Sequence, residues 1–376
     1  MKFNVPSKTL YSYVSAVSKV INSKNALAIL NNFLFNLDGS LLTITASDME
    51  NTLTARVLVT EAEGNGQFCI DAHRMVDLLR EIPDQGITFE INDETLAVEI
   101  TYPGGNYSLI AINGIEYPSS KTESTDDESL KFTCPSEQII KGIDNTLFAV
   151  SSDELRPQMM GILWDIKADN ITFVATDTRK LVKYRNSLSQ PGVEGSFILP
   201  VKPANILKSV FAKEEEIKVT IDPKSATFES DAYTFNCRFI KGNFPDYNRV
   251  IPTNNPCTLT IDRQLFVNAV RRVGIFVQAS NGLIKFKLTP DKILMKAQDN
   301  NVCTLAREEL SCDYVGHELV IGLSAPYLIE ICNTISTTEL VVKLADPSRP
   351  CVFLPSENDE NSELLMLLMP MNVTDF

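Results

Sequence analysis

The chain has 376 residues, 44% of them apolar, enough to bury the cores of two to three domains of ordinary size. A formal net charge of −14, if spread evenly, disfavours nucleic acid, and no run of about eighteen apolar residues is present to cross a membrane. Eight cysteines without a C-x-x-C pair, and only His73 and His317 as histidines, exclude a zinc cage and leave little for general-base or triad chemistry.

The opening MKFNVPSKTLYSYV lacks the unbroken apolar stretch of a signal peptide. The cysteines are therefore expected to be reduced core residues in the cytoplasm, and the sequons at Asn106 and Asn170 carry no meaning. Leu10, Tyr13, Val14, Val17 and Ile21 recur at helical spacing and predict a first helix over 7–21. A strand opening at Phe68 leads into a second helix over 71–81. Ile139, Ile140, Ile143 and Leu147 follow Pro135-Ser136 and predict a third over 135–150. The strand opening at Phe197 leads into a fourth, 202–213. Leu265, Phe266, Ala269, Val270 and Val273 follow Asp262, an expected N-cap, and predict a fifth over 262–273. The strand opening at Leu319 leads into the sixth, 324–336. Elsewhere apolar and polar residues alternate with period two, as half-buried strands do.

The elements come round three times. Residues 30–57, 160–184 and 282–307 each read as strand, turn, strand, aspartate and further strand. Asp48, Asp177 and Asp299 are 129 and 122 residues apart, and Phe68, Phe197 and Leu319 keep the same spacings. Each copy closes on a hydrophobe and a proline: Tyr117-Pro118, Phe244-Pro245 and Met369-Pro370. A repeat this long predicts an α+β chain of three similar domains, at 1–120, 130–252 and 257–376, each with two helices packed on antiparallel sheets. The polar segment 118–131 and the segment 241–256 are the expected connectors.

Neither a G-x-x-x-x-G-K-[ST] nor a G-x-G-x-x-G phosphate cradle occurs. His73, beside Arg74 on a helix, reads as a surface residue. The three recurring aspartates fall once per domain, cannot converge on one metal, and read as turn caps. No catalytic residue, metal or cofactor is expected. The six helical segments carry 11 Lys/Arg against 7 Asp/Glu, a net +4 that leaves −18 for the rest of the chain. Helices accept lysine and arginine readily in any fold. The same split also suits a basic helical surface facing phosphates behind an acidic exterior.

Met-Lys-Phe at the start, Leu27–Leu30, Ala175-Thr176-Asp177, Lys180-Leu181, the string GNFPDYNRVIP at 242–252 and Met369-Pro370-Met371 closely resemble the bacterial sliding clamps, the beta subunits of DNA polymerase III. The resemblance covers the whole chain, and the connector string and terminal M-P-M are its specific markers. It implies a head-to-tail homodimer closed as a ring around duplex DNA, with helices on the inner wall and sheet outside. Such a ring holds DNA by topology, so weak, sequence-independent phosphate contacts suffice. It implies a non-catalytic processivity factor of chromosomal replication in the cytoplasm, at the nucleoid. Its implied partners are a clamp loader, the replicative polymerase and other polymerases or repair proteins bearing a short clamp-binding peptide.

Residue by residue, the resemblance places Lys24, Asp153, Gln158 and Lys202 towards DNA, although the aromatic residues that clamps can place near Asp153, Pro157 and Gln158 are absent. It places a peptide pocket between the second and third domains at Arg156, Met159, Thr176, Thr178, Arg179, Lys180, Leu181, Pro245, Arg249, Val250, Tyr327, Leu367, Met369, Pro370 and Met371. Independently, the apolar run Leu364–Met371 at a chain end and its soft methionines suit a surface that accepts varied ligands, while a buried last strand also fits Leu364–Met366. Thr178 replaces a usual glycine, Asn372 a usual arginine, and Thr374-Asp375-Phe376 extends the usual terminus. For the dimer interface the candidates are Arg74, Met75 and Leu79 on the first domain, facing Ile275 and Phe276 on the partner's third, although a core role also fits Ile275 and Phe276. Two other readings remain open: a monomeric interaction scaffold without DNA, and a hydrolase or transferase with its site at a domain junction.

Overall fold

The computed structural model describes residues 1–118, 129–278, 281–299, 303–373 and 376. Residues 119–128 of the first connector, residues 300–302 of the third repeat and Thr374-Asp375 of the terminal extension lie outside the described residues. Six α-helices form close to the expected places: α1 (Ser7–Val17), α2 (Ala72–Glu81), α3 (Ser136–Thr146), α4 (Val201–Val210), α5 (Arg263–Gly274) and α6 (Ala325–Thr334). Local chemistry sets their starts. The Asp71 carboxylate accepts from Arg74 N at 2.8 Å and that of Asp262 from Leu265 N at 2.7 Å, satisfying first-turn amides that have no partner within the helix. No helix among the described residues is long and apolar enough to cross a membrane.

The chain resolves into two compact units, Met1–Glu137 with Lys202–Phe239, and Gln138–Val201 with Ile240–Phe376. The first holds a nine-stranded antiparallel sheet in which strand Asn51–Leu58 pairs with Tyr233–Arg238, so the first repeat and part of the second share one sheet. A five-stranded sheet, ordered 60–63, 2–6, 86–91, 97–102 and 105–110, completes it. The stacked rings of Phe3 and Phe89, 4.8 Å apart, and of Phe35 and Phe68, 5.4 Å apart, fill its core, and α1 packs on α2 and on strands 41–47 and 51–58.

The second unit repeats the plan. Strand Lys180–Asn186 pairs with Ser362–Leu368 inside another nine-stranded sheet, a four-stranded sheet accompanies it, and α5 packs on α6. The two joining pairs start 129 residues apart, at Asn51 and Lys180 and at Tyr233 and Ser362. The repeat therefore extends to the joints between modules.

Two of the recurring aspartates, Asp48 and Asp177, build the same turn. Asp48 Oδ1 accepts from the backbone N of Glu50 and Asn51 at 3.0 and 2.7 Å, and Asp177 Oδ1 from those of Arg179 and Lys180 at 2.9 and 2.8 Å. The preceding hydroxyl closes each turn from the other side, with Met49 N donating to Ser47 Oγ and Thr178 N to Thr176 Oγ1. Both turns need a left-handed residue, met by Met49 and Thr178 at φ 77°. A β-branched residue is strained there, and glycine is the unstrained choice.

Candidate functional site

One of these turns forms an edge of a cavity of about 210 Å3 in the second unit. The strand Lys180–Asn186 leaves the turn and pairs with Ser362–Leu368, bringing Leu181 opposite Leu367. Leu181, Leu367, Leu163, Val174, Ile198, Tyr247 and Val352 form one buried apolar cluster, with Phe244 and Ile251 packed on it. The cavity opens over this floor. Chain ends usually fray, but here two bonds pin the last segment: Met369 N donates to Arg179 O and Met371 N to Gly322 O, both at 2.8 Å. Pro370 ends the strand and leaves Met369 42% exposed at the cavity edge.

Ten of the fifteen residues placed at a pocket line this cavity: Met159, Thr176, Thr178, Arg179, Lys180, Leu181, Pro245, Val250, Leu367 and Met369. Five do not. Arg156 and Arg249 point to carboxylates on their own loops, Asp153 at 3.8 Å and Asp246 at 2.8 Å. Tyr327 instead lies under the Lys180 ammonium, which is 4.6 Å from its ring centroid, 5.3 Å from that of Phe148 and 2.5 Å from Glu330 Oε2. Pro370 and Met371 run on past the lining. Phe244, Asp246, Tyr247 and Pro350 line the cavity without having been assigned to a pocket from sequence. Tyr247 is held by its hydroxyl, which donates to Asp165 Oδ2 at 2.8 Å. Burial, together with that carboxylate, pushes its pKa up to about 12, so it is a fixed neutral donor.

Of the residues placed towards DNA, Lys24 is exposed, and among the described residues no carboxylate pairs with it. Lys19, on the turn that extends α1, is likewise exposed and was missed, although its charge was visible in the sequence. Lys202 is bonded within the protein. Its three ammonium donors are spent on Val20 O, Asn22 Oδ1 and Asp48 Oδ2, at 2.5, 2.6 and 2.5 Å. Burial pushes the Asp48 carboxyl up, but Lys202 and the Asn51 amides outweigh it and hold the group below the usual carboxylate range. The Asp153 carboxylate accepts from Leu155 N at 3.0 Å and lies 3.8 Å from Arg156, a turn-building role. Gln158 is half-buried, its Cβ close under Gly242.

Of the interface candidates, Met75 and Leu79 are corrected. Both are 0% exposed, turned into the chain's own core on the apolar face of α2, so neither can meet a partner. Arg74 is exposed, and Ile275 and Phe276 stand out at 78% and 38% exposure just past α5. Strand Gly105–Ile110 forms an edge of the five-stranded sheet and shows Tyr107 and Ile110 to solvent, an apolar edge that sequence alternation did not single out.

Three family models tile the chain: the DNA polymerase III beta subunit N-terminal domain over residues 1–120, its central domain over 133–246 and its C-terminal domain over 248–372. A beta sliding clamp of Caulobacter vibrioides is 26% identical over 386 aligned residues, spanning 99% of this chain and all of that protein. Among solved structures, the beta subunit from DNA polymerase of Streptococcus pyogenes superposes with a TM-score of 0.93 at 22% identity, covering 99% of this chain and all of that one. A sliding clamp from Bartonella birtlesii, solved bound to griselimycin, has a TM-score of 0.91 at 24% identity over 99% of this chain and all of that one.

Proposed function

The chain belongs to the DNA polymerase III beta subunit family, and on that footing we propose that it is a sliding clamp: a non-catalytic processivity factor whose two copies close head to tail around duplex DNA. The tiling of the whole chain by three consecutive beta-subunit domains is the observation that carries this reading. Modules at 1–120, 130–252 and 257–376 supply six similar domains per ring. DNA is kept by enclosure, so an overall charge of −14 is no obstacle: a few cations such as Lys24, with Lys19 beside them, are enough for contacts weak enough to slide.

The cavity beneath Met369 is the proposed seat for a short apolar peptide from the polymerase, the clamp loader and other DNA-processing proteins, and the adaptable Met159 and Met369 at its edge suit several clients. Arg74 and the edge strand Gly105–Ile110 are proposed to meet Ile275 and Phe276 of the partner. The cytoplasm, at the nucleoid, is the proposed location. A monomeric scaffold accounts for neither the family nor these exposed apolar edges. Sedimentation tests the assembly: a species of twice 41.8 kDa is expected, and Ile275→Asp should shift it towards monomer. A wild-type monomer at micromolar concentration would favour the scaffold.

A further inference from the structure

The loop that leaves α1 is anchored at both ends, with Lys24 between the anchors. The turn Ser18–Val20 extends α1 and ends on the carbonyl of Val20, which has no further helical turn to pair with. Lys202, at the second position of α4, supplies the partner. Its ammonium donates to Val20 O at 2.5 Å, where a cation also suits the negative end of the helical turn. The same ammonium donates to Asn22 Oδ1 at 2.6 Å and to Asp48 Oδ2 at 2.5 Å, so one side chain ties the loop to the Asp48 turn. At the other end Asn25 Nδ2 donates to Asn31 Oδ1 at 2.8 Å and to Leu30 O at 3.3 Å. Lys24 itself is exposed and, among the described residues, paired with no carboxylate.

We propose that Lys202 is a positioning residue for DNA contact: it holds the loop 21–25 so that Lys24 is presented to a phosphate, without meeting phosphate itself. The inference rests on the DNA-encircling reading above and adds the residue that orders its contact. An ammonium has three hydrogens, and those of Lys202 are directed at three acceptors inside the protein, so a phosphate would have to displace one. Its partner Asp48 is 4% exposed, and a displaced Lys202 would leave that carboxylate buried and unpaired. Lys24 has no such bond to give up among the described residues. On an unanchored loop Lys24 would lose backbone freedom at each contact, and the two anchors have already removed that freedom. Lys202 also neutralises Asp48, which would otherwise set an anion beside the same loop.

The test uses the full-length protein and a fluorescent linear duplex, which a closed ring can thread from its ends. Anisotropy across a salt series reads both affinity and the number of phosphate contacts. Lys24→Gln should weaken binding about three-fold at low salt and lower the salt slope by about one. Lys202→Met should do the same, and the double variant should be no weaker than Lys24→Gln alone, because both changes remove one contact. Hydrogen exchange in Lys202→Met should accelerate at residues 20–25 and stay unchanged in strand Ala97–Tyr102, where it reports that the fold is kept. Asn22→Ala leaves every charge in place and carries the test should Lys202→Met not fold. It should weaken binding about two-fold, an effect that disappears in the Lys24→Gln background. Additive losses from Lys202→Met and Lys24→Gln would overturn the proposal, since Lys202 would then meet a phosphate of its own. Undiminished binding by Asn22→Ala, or unchanged exchange across the loop in Lys202→Met, would overturn it as well. If wild type showed no salt-dependent binding, the DNA reading would fall instead, and this inference with it.

Discussion

At the residue scale the burial of ionisable groups has direct consequences. Burial pushes the thiols of Cys69, Cys332 and Cys351 up to about 12, and that of Cys312 up to about 11, whereas Cys303 is exposed. A thiol reagent at pH 8 should therefore modify Cys303 quickly, Cys312 slowly and the buried cysteines only on unfolding. Rapid reaction of four or more in the native protein would contradict the packing. The Lys202–Asp48 pair is a second case. Lys202→Met strands a nearly buried carboxylate and should cost about 2–4 kcal/mol, read as a lower urea midpoint. The folded pKa of Asp48 lies below its unfolded value, so the pair's contribution is fully present above about pH 4 and is lost as pH falls through the folded value. Asp48→Asn should accordingly flatten the acid limb of the stability curve, and an unchanged limb would remove the assigned role. None of this was legible in sequence, because the partners of Lys202 lie 154 to 182 positions away.

At the scale of elements the sequence was more informative, unevenly so. The helices and their capping aspartates were readable because amphipathic spacing and N-caps are local signals. The Thr176–Lys180 turn was visible as the second copy of Ser47–Asn51. Met75 and Leu79 were misplaced although the signal was there: they are i and i+4 on α2, in phase with buried Ala72, and that phase turns them inward. Phe244, Asp246, Tyr247 and Pro350 went unassigned to a pocket for another reason. They lie on irregular segments, and only the pairing of strands 180–186 and 362–368 brings their neighbourhood together. The terminal segment gives this scale its own test. Ending the chain at Leu368 removes Met369 and the bond to Gly322 but leaves strand Ser362–Leu368 and its pairing intact. The truncated protein should keep its dimer and a Tm within a few degrees of wild type while losing at least ten-fold in affinity for client peptide. Undiminished affinity would show that peptide binds elsewhere.

At the scale of the whole molecule, a repeat of 122 to 129 residues accounts for both the fold and the function. Each joint pairs a strand of one repeat with a strand of the next, Asn51–Leu58 with Tyr233–Arg238 and Lys180–Asn186 with Ser362–Leu368. Enclosure also reconciles an acidic chain with DNA. The most direct measurement is retention on DNA of the two topologies. Clamps loaded onto a nicked circular plasmid should stay bound through gel filtration at moderate salt, then be lost once a restriction enzyme linearises the circle. Equal retention on circular and linear DNA, or none on either after loading, would contradict encirclement.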